Sequence, residues 1–336
     1  MHQTKGLFTE PDGTLSMRAL TAPLKDHMLA LDSFMEAEIG QFEPELRELV
    51  RYTFAHSGKR LRPILTFFGG WTGGPPDAGL VKCAAIVEMV HLATLVHDDI
   101  LDGATLRHNA PTSVAANGAH VAVLLGDALF SEALRLAAGY DTTEVCRVVA
   151  QATRRVCAGE VGQTFQRGND RLNLATYYRV IELKTAELFR AACYLGALIG
   201  GHGQAFADAA DNYGLHLGTA YQIFDDVADL LGDENAIGKT LGTDLASGKF
   251  TLPLLLLMQG LGERERAELK TEIPRMDTSR IFALLAGGDV ISKVKTAFND
   301  EVKAATDAIE PYAELPPVEP LRVLASYVGA MVARIA

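Results

Sequence analysis

Two short acidic motifs contain the side chains of this sequence that are best suited to chemistry. The first acidic motif is Asp98-Asp99-Ile100-Leu101-Asp102, the second is Asp225-Asp226-Val227-Ala228-Asp229, and each ends an apolar run with helical spacing. Residues four apart share one face of a helix, so the outer aspartates of each motif present their oxygens in one direction. Like charges placed in this way repel unless cations lie between them. Clustered oxygen ligands without nearby cysteine or paired histidine favour Mg²⁺ over zinc.

A diphosphate held between the motifs is the ligand that this pattern predicts, because protein-bound Mg²⁺ usually shares its coordination sphere with substrate phosphates. One copy of so short a motif is equally typical of a solvated helix end. Two copies, each flanked by uncharged apolar helix, favour the metal interpretation.

A basic segment, Gly58-Lys59-Arg60-Leu61-Arg62-Pro63, is the second candidate site. Proline suits the first turn of a helix, so the cations of this segment lead into a helix N-terminus. Cations and free backbone amides together favour an anion there. The segment therefore predicts a second phosphate site, although the same six residues standing alone would be more typical of a solvated turn.

Other polar side chains lie close to the acidic motifs in sequence or interrupt apolar helices. A lysine in such a position is by itself more typical of a solvated surface than of a binding site. Their grouping around two acidic motifs makes them candidates, and they are Arg107, His108, Lys184, Thr185, Gln222, Lys239 and Lys249.

The composition predicts a soluble protein with a large core. Of the 336 residues, 48% are hydrophobic, and the formal net charge is −11. So acidic a chain is a poor match for a phosphate backbone, and nucleic acid is not expected as a partner. We find no basic-then-apolar leader and no uninterrupted apolar run near the roughly 20 residues of a spanning helix, which predicts a cytoplasmic protein that is not transmembrane. An apolar product could still bring it into peripheral contact with a membrane.

The four cysteines show no Cys-x-x-Cys spacing, and each lies in an apolar, helix-like stretch. This distribution predicts small buried thiols in a reducing compartment. They are Cys83, Cys146, Cys157 and Cys193.

The elements that carry these residues are predicted to be helices almost throughout. Apolar residues recur at three- and four-residue steps, turn signals separate the periodic stretches, and alternating strands are absent. Several helices are apolar nearly all round, as expected for the centre of a bundle. The sequence therefore predicts an all-α fold, with a loose lead-in over 1–20 and one large helical domain around a central cavity over 21–336. The predicted helices cover 77–103, 112–139, 143–165, 174–201, 203–231 and about 320–335.

From about Gly58 to Pro253 the sequence resembles the trans-isoprenyl diphosphate synthases, or polyprenyl synthetases, of the long-chain type. The likeness rests on residues 97–107, which read HDDILDGATLR, and on residues 221–229, which read YQIFDDVAD. Residues 238–253, GKTLGTDLASGKFTLP, resemble the continuation of the second motif in that family. The resemblance implies an isoprenoid-synthase helical bundle that forms a homodimer and joins an allylic diphosphate to isopentenyl diphosphate.

The same resemblance implies site roles, position by position, with two to three Mg²⁺ ions as cofactors. It implies that Asp98 and Asp102 bind two ions and that Asp225 binds a third, while Asp99, Asp226 and Asp229 complete the motifs. The cations implied to contact the allylic diphosphate are Arg107, Lys184, Lys239 and Lys249. The residues implied to hold isopentenyl diphosphate are Lys59, Arg62 and His91. Thr185 and Gln222 fall where polar oxygens face the developing carbocation.

One position departs from the family pattern. Where the family usually has a second arginine that serves the isopentenyl diphosphate site, this sequence has His108. A protonated histidine donates a charge-assisted hydrogen bond but does not reproduce the bidentate guanidinium. We therefore expect weakened or pH-dependent binding of isopentenyl diphosphate.

Product length is expected to depend on the helix that precedes the first acidic motif. In the family, aromatic side chains four and five residues before that motif block the tunnels of short-product enzymes. Here those positions are Ala93 and Thr94, with Met89 and Val90 one turn deeper. Small residues leave the passage open, so the resemblance predicts a long product of roughly six to ten isoprene units; the alternative is that Ala93 is only a close helix contact.

Three other interpretations fit parts of the sequence. A class I terpene cyclase would ionise a diphosphate without an isopentenyl diphosphate site, and His108 favours it, whereas the basic segment and His91 do not. A non-catalytic partner subunit of a polyprenyl synthase commonly lacks motif aspartates, and this chain has all six. A metal-storage bundle would favour glutamates and Glu-x-x-His on facing helices, which the sequence does not show.

Overall fold

The computed structural model describes residues 15–168, 173–231, 242–272, 279–286 and 289–332. Within these ranges the chain is a bundle of α-helices with one two-stranded hairpin, β1 (Leu106–Arg107) and β2 (Ala110–Pro111). The predicted all-α fold is confirmed. The helices are α1 (Met17–Thr21), α2 (Lys25–Ile39), α3 (Pro44–Ala55), α4 (Leu61–Gly69), α5 (Ala78–Leu101), α6 (Ser113–Asn117), α7 (Ala119–Ala138), α8 (Thr143–Gln166), α9 (Leu174–Ile181), α10 (Glu187–Ile199), α11 (Gln204–Leu231), α12 (Thr243–Ala246), α13 (Leu252–Gly260), α14 (Glu263–Glu272), α15 (Ser279–Ala286), α16 (Asp289–Ile309) and α17 (Val318–Met331).

Helix α5 is the central helix of the bundle. Its first turn is capped by the side chain of Asp77, which accepts a hydrogen bond from the amide of Leu80. It packs against α2, α4, α7 and α10, and every side chain from 83 to 90 is buried. A helix that is apolar nearly all round is stable in water only where other helices surround it, which is its situation here.

The length of α5 corrects one expectation from the sequence. We expected no apolar segment long enough to span a membrane, yet α5 has 24 residues and passes that test by length and composition. The sequence estimate was wrong because it counted uninterrupted apolar runs, and a helix continues through Glu88 and His91. Of its most apolar window, 72% is buried inside the protein, as in the core helix of a bundle.

Within the described residues, the predicted helix bounds agree with the structure to within a few residues, with three differences; residues 1–14 of the predicted lead-in and the predicted end of the last helix at about 335 lie outside the described residues. The lead-in was predicted to extend to residue 20, but α1 already begins at Met17, and Leu20 is fully buried. The predicted helix over 112–139 is broken at Gly118, whose φ of 82° is a left-handed conformation. The stretch 174–201 is interrupted by a wide π-helical turn, Glu182–Ala186.

The cysteines are free, as expected, but not all are buried. Cys83 and Cys193 lie in the core, whereas Cys146 is only partly buried and Cys157 is exposed. Both of the latter lie in α8, and the apolar residues around them in sequence did not reveal how far each is exposed.

Candidate active site

The first acidic motif lies at the C-terminal end of α5. Asp98 and Asp99 are in its last turn, and Asp102 follows it as the capping residue. The partial negative charge of a helix C-terminus makes this an unfavourable place for carboxylates. Each of the three therefore requires a cation or donor from another part of the chain.

Two cations neutralise the inner part of the motif. The Nζ of Lys184 lies 3.6 Å from Oδ2 of Asp98, and it also forms an ion pair with Glu160 on α8. The guanidinium of Arg107, on β1, donates from Nη2 and Nε to one oxygen of Asp99 at 2.7 and 2.9 Å.

The outer carboxylate, Asp102, is held by two further cations. Nη2 of Arg167 donates to its Oδ1 at 2.6 Å, and the Nζ of Lys249 lies 3.5 Å from its Oδ2. Lys249 is also 3.3 Å from Asp244.

The second acidic motif lies in the last part of α11. Asp226 is buried and accepts a hydrogen bond from the hydroxyl of Tyr177 at 2.6 Å and from the amide of Gln222 at 2.8 Å. The carbonyl oxygen of Gln222 accepts from the hydroxyl of Thr185 at 2.6 Å. Asp229 is fully buried and accepts from the backbone amide of Asp244 at 3.0 Å.

Two separate connections join the motifs across the bundle. The first passes through the consecutive residues Lys184, which contacts Asp98, and Thr185, which contacts Gln222 one turn before the second motif. The second passes from Asp102 through Lys249 to Asp244, whose amide binds Asp229. The acidic motifs, 127 residues apart in sequence, thus face the same space.

The wide turn between α9 and α10 is what places Lys184 and Thr185. Its backbone hydrogen bonds are of the i to i+5 type, a geometry that occurs mostly as single turns and often at functional sites. Neighbouring helices approach it closely because they present glycine there. A Cβ on Gly159 of α8 would lie 2.8 Å from the amide nitrogen of Lys184, and one on Gly218 of α11 would lie 2.6 Å from Cα of Ala186.

A second polar site is formed where the basic segment meets α5. Arg62 is half-buried on α4. Its guanidinium lies over the ring of Phe189 at 5.1 Å and donates from Nη1 to Nε2 of His91 at 2.9 Å. Burial lowers the pKa of Arg62 to about 10, and burial together with the Arg62 charge holds the pKa of His91 well below its usual value. His91 is therefore neutral, and because its Nε2 accepts, its ring proton is on Nδ1.

Residues 43–281 of this chain match the family model named polyprenyl synthetase. The chain belongs to the polyprenyl synthetase family. It is 32% identical to the octaprenyl diphosphate synthase of Haemophilus influenzae over 278 residues, which are 82% of this chain and 84% of that protein. It is accordingly a prenyl transferase of the long-chain polyprenyl diphosphate synthase type.

Solved structures show the same fold. The crystal structure of a decaprenyl diphosphate synthase from Rhodobacter capsulatus matches with a TM-score of 0.86 at 31% identity, covering 96% of this chain and 100% of that one. A polyprenyl synthase from Caulobacter crescentus CB15, complexed with calcium and isoprenyl diphosphate, matches with a TM-score of 0.85 at 31% identity, covering 96% and 98%. The helical bundle described above is therefore that of the polyprenyl synthases.

The hairpin after the first acidic motif positions the residue that departs from the family pattern. Its two-residue loop is His108-Asn109, and both residues have positive φ, 49° and 61°. Such loops match the twist of the strands and favour residues that tolerate the left-handed region, as Asn and His do. The imidazole of His108 packs where Gly58 has no side chain, since a Cβ there would lie 2.8 Å from Nε2. His108 is thus placed on the basic segment.

The pKa values of the motif carboxylates are shifted by burial and by nearby charges: those of Asp98 and Asp226 are raised, and that of Asp102 is lowered. Burial raises the pKa of Asp98 to about 6, with Glu160 and Asp102 adding to the rise and Lys184 opposing it. For Asp102, burial would raise the pKa, but Lys249 and Arg167 outweigh it and the pKa is lowered. Burial and the nearby Asp244 raise the pKa of Asp226.

The other residues predicted from the sequence lie in α5, in the basic segment or outside the described residues. Met89, Val90 and Ala93 are fully buried in α5, whereas Thr94 is partly exposed and its hydroxyl donates to the carbonyl of His91 at 2.7 Å. Lys59 is exposed in the basic segment. Lys239 lies outside the described residues.

Four residues of the site were not selected from the sequence. Tyr177, Glu160 and Arg167 carry no local signal, since their importance depends on contacts with residues far along the chain. Glu88 does carry one, because it is the one acidic residue in the apolar run 78–97. It is fully buried, and neither carboxylate oxygen has a hydrogen-bond partner among the described residues.

The charge of Glu88 makes the stability of the protein depend on pH. Burial raises its pKa from 4.5 to about 7, although Arg62 and Arg60 oppose the rise. Between these two values the folded state retains a proton that the unfolded state has released. This group's contribution to stability is therefore complete below pH 4.5 and falls as the pH rises through 7, by up to about 3 kcal/mol.

We expect Glu88→Gln to remove this part of the pH dependence, because glutamine has nearly the same shape and does not titrate. The free energy of unfolding by urea, measured at pH 5 and pH 8, should decrease less with pH in the variant than in the unchanged protein. Glu263→Gln, at an exposed position of α14, is the control and should leave the pH dependence unchanged. Equal pH dependence in the Glu88→Gln variant and the unchanged protein would show that Glu88 is not the titrating group.

Proposed function

We propose that this chain is a Mg²⁺-dependent trans-prenyl transferase that condenses an allylic diphosphate with isopentenyl diphosphate to make a long-chain polyprenyl diphosphate. The observation that carries the proposal is the meeting of both acidic motifs at Lys184 and Thr185. The Caulobacter relative complexed with calcium and isoprenyl diphosphate supports a divalent metal and a substrate of this class.

The acidic motifs offer the type of ligand atom that Mg²⁺ prefers. Asp98, Asp102 and Asp225 would hold the ions with carboxylate oxygens, which this ion prefers. Among the described residues no three acidic, histidine or cysteine side chains form a metal site by themselves. The raised pKa of Asp98 marks a largely buried carboxylate that a cation would stabilise. When bound, Mg²⁺ supplies charge that stabilises the diphosphate leaving group.

The cations of the chain divide between two diphosphates. In this proposal Lys184, Lys249 and Arg107 hold the allylic diphosphate, together with Lys239, because the first three already contact the first acidic motif. Lys59, Arg62 and the Nδ1–H of His91 hold isopentenyl diphosphate. His91 and Asp98 are seven residues apart in α5 and so share one face of this helix, which places the two sites next to each other and suits the approach of the reacting carbons.

The reaction follows from this arrangement without a nucleophilic side chain. The C1–O bond of the allylic diphosphate breaks, and both electrons leave with the diphosphate that Lys184 and Lys249 hold. The double bond of isopentenyl diphosphate attacks C1, and the new cation loses a proton to the released diphosphate. Oxygens of Thr185 and Gln222 stabilise the positive carbon, while the buried walls of α5 and α10 exclude water that would quench it.

The proposal includes a cytoplasmic homodimer that contacts membranes only peripherally, for release of its apolar product. Helices α7 and α8 support an association surface, since they expose large apolar side chains. These are Val123, Leu124, Leu134, Val161 and Phe165.

The function is tested by incubating the purified protein with Mg²⁺, labelled isopentenyl diphosphate and allylic primers of several lengths. We expect elongated diphosphates, loss of activity with a chelator and recovery when Mg²⁺ is restored. Asp98→Asn and Asp225→Asn should each lower kcat at least about a hundredfold, because they remove charge that faces the leaving group.

Asp289→Asn, on the exposed start of α16, is the matched control and should retain full activity. A released hydrocarbon would instead identify a terpene cyclase. No product with any primer would favour the partner subunit.

Replacing the small residues before the first acidic motif should shorten the product. Ala93→Phe and Thr94→Phe would place an aromatic ring beside the growing chain, and chromatography of the dephosphorylated products would report the change. The unfolding midpoint must be measured in parallel, since overpacking a fully buried site costs about 1–3 kcal/mol. A stable, active Ala93→Phe variant with unchanged product length would refute the tunnel assignment.

The affinity for isopentenyl diphosphate should depend on the protonation of His108. Burial, then the charges of Arg107 and Lys59, lower the pKa of His108 below its usual 6.5, so it is neutral at pH 7. The KM for isopentenyl diphosphate should therefore fall as the pH is lowered below 6.5. His108→Arg should lower this KM about tenfold at pH 8, because a permanent guanidinium adds a charge-assisted contact.

His108→Gln, which does not titrate, should keep a high KM at every pH. An identical pH dependence of this KM in all three proteins would exclude His108 from the site.

A further inference from the structure

Arg167 is a charged residue of the site to which neither the family pattern nor the sequence assigned a role. It follows the last residue of α8, and its Nη2 lies 2.6 Å from Oδ1 of Asp102. Its Nε is buried and has no hydrogen-bond partner among the described residues. The next amide, that of Gly168, donates to the carbonyl of Gly248 at 2.9 Å, which fixes this end of α8 beside Lys249.

Arg167 and Lys249 share one carboxylate. Arg167 holds Oδ1 of Asp102 and Lys249 lies near Oδ2, and the side chains of Arg167 and Asp102 are only 26% and 29% exposed. Lys249 has a second carboxylate within 3.3 Å, that of Asp244, whereas among the described residues Arg167 forms its ion pair with Asp102 alone. Arg167 is therefore the cation whose charge would be left uncompensated if Asp102 bound another partner, and a diphosphate would supply the missing negative charge.

A metal at Asp102 competes directly with Arg167. If Asp102 turns its oxygens to Mg²⁺, as the proposed function requires, its contact with the guanidinium is lost or shared. The released guanidinium, already missing a partner at Nε, then offers two parallel donors in a geometry that matches phosphate.

We propose that Arg167 is a further ligand of the allylic diphosphate. It forms an ion pair with Asp102 until a metal ion coordinates that carboxylate and releases the guanidinium. The inference rests on the proposed function, because it needs Asp102 as a metal ligand. It predicts that the chain binds metal and diphosphate together far better than either alone, since the metal both bridges to the diphosphate and frees a guanidinium for it.

Calorimetric titration with inorganic diphosphate, which does not react, tests this directly. With Mg²⁺ present, Arg167→Gln should bind diphosphate about ten- to a hundredfold more weakly than the unchanged protein, and Arg167→Lys should fall between them. Without Mg²⁺ the two proteins should differ less than about twofold, because Asp102 already occupies Arg167. Arg154→Gln, an exposed arginine of α8, is the control and should match the unchanged protein in both conditions.

The exchange itself is tested without metal. Asp102→Asn should release Arg167, so adding Arg167→Gln to that variant should weaken metal-free diphosphate binding about tenfold, whereas the same change in the unchanged protein has little effect. Thermal unfolding of each variant checks that it is folded.

The inference is overturned if folded Arg167→Gln binds Mg²⁺ and diphosphate as Arg154→Gln does, or if its loss is the same with and without Mg²⁺. Failure of the proposed function would look different, because the unchanged protein would then neither elongate a primer nor bind diphosphate more tightly with Mg²⁺.

Discussion

The repulsion among six carboxylates, of which Asp99, Asp226 and Asp229 are buried, is the constraint on which the rest of this structure depends. They lie at the end of an apolar helix and within another, where neither bulk water nor the helix dipole stabilises negative charge. The cations that compensate this negative charge come from different elements: β1 provides Arg107, the wide turn provides Lys184, and the end of α8 provides Arg167. The long connections of the bundle are thus organised around charge as well as around apolar packing.

The two proposed diphosphate sites balance charge in different ways. At the acidic motifs, excess negative charge attracts cations, and the protein's own lysines and arginines occupy the carboxylates. At the basic segment, Arg62 is half-buried beside a neutral His91, its charge acts on the buried Glu88, and Lys59 remains exposed. One site is thereby suited to metal-bridged phosphate and the other to direct contact with protein donors.

The sequence predicts the helices and the acidic motifs well, because both depend on local spacing. Asp-Asp-x-x-Asp in an apolar helix is conspicuous, and the family resemblance supplied the expectation that two copies face each other. Contacts made by Tyr177 and Arg167 were not predictable, since each joins residues 49 and 65 positions apart without a local pattern. Nor was the seating of His108 against Gly58, which depends on a hairpin whose two strands have only two residues each.

The wide turn at Glu182–Ala186 makes this segment of the chain sensitive to the deletion of a residue. Geometrically it resembles a single residue inserted into a continuous helix, and it rotates everything after it relative to everything before it. Shortening the chain by one residue here would restore a regular α-helix. The same deletion would turn Lys184 away from Asp98 or Thr185 away from Gln222. The segment that binds both halves of the site is therefore more sensitive to a change of length than to most changes of side chain.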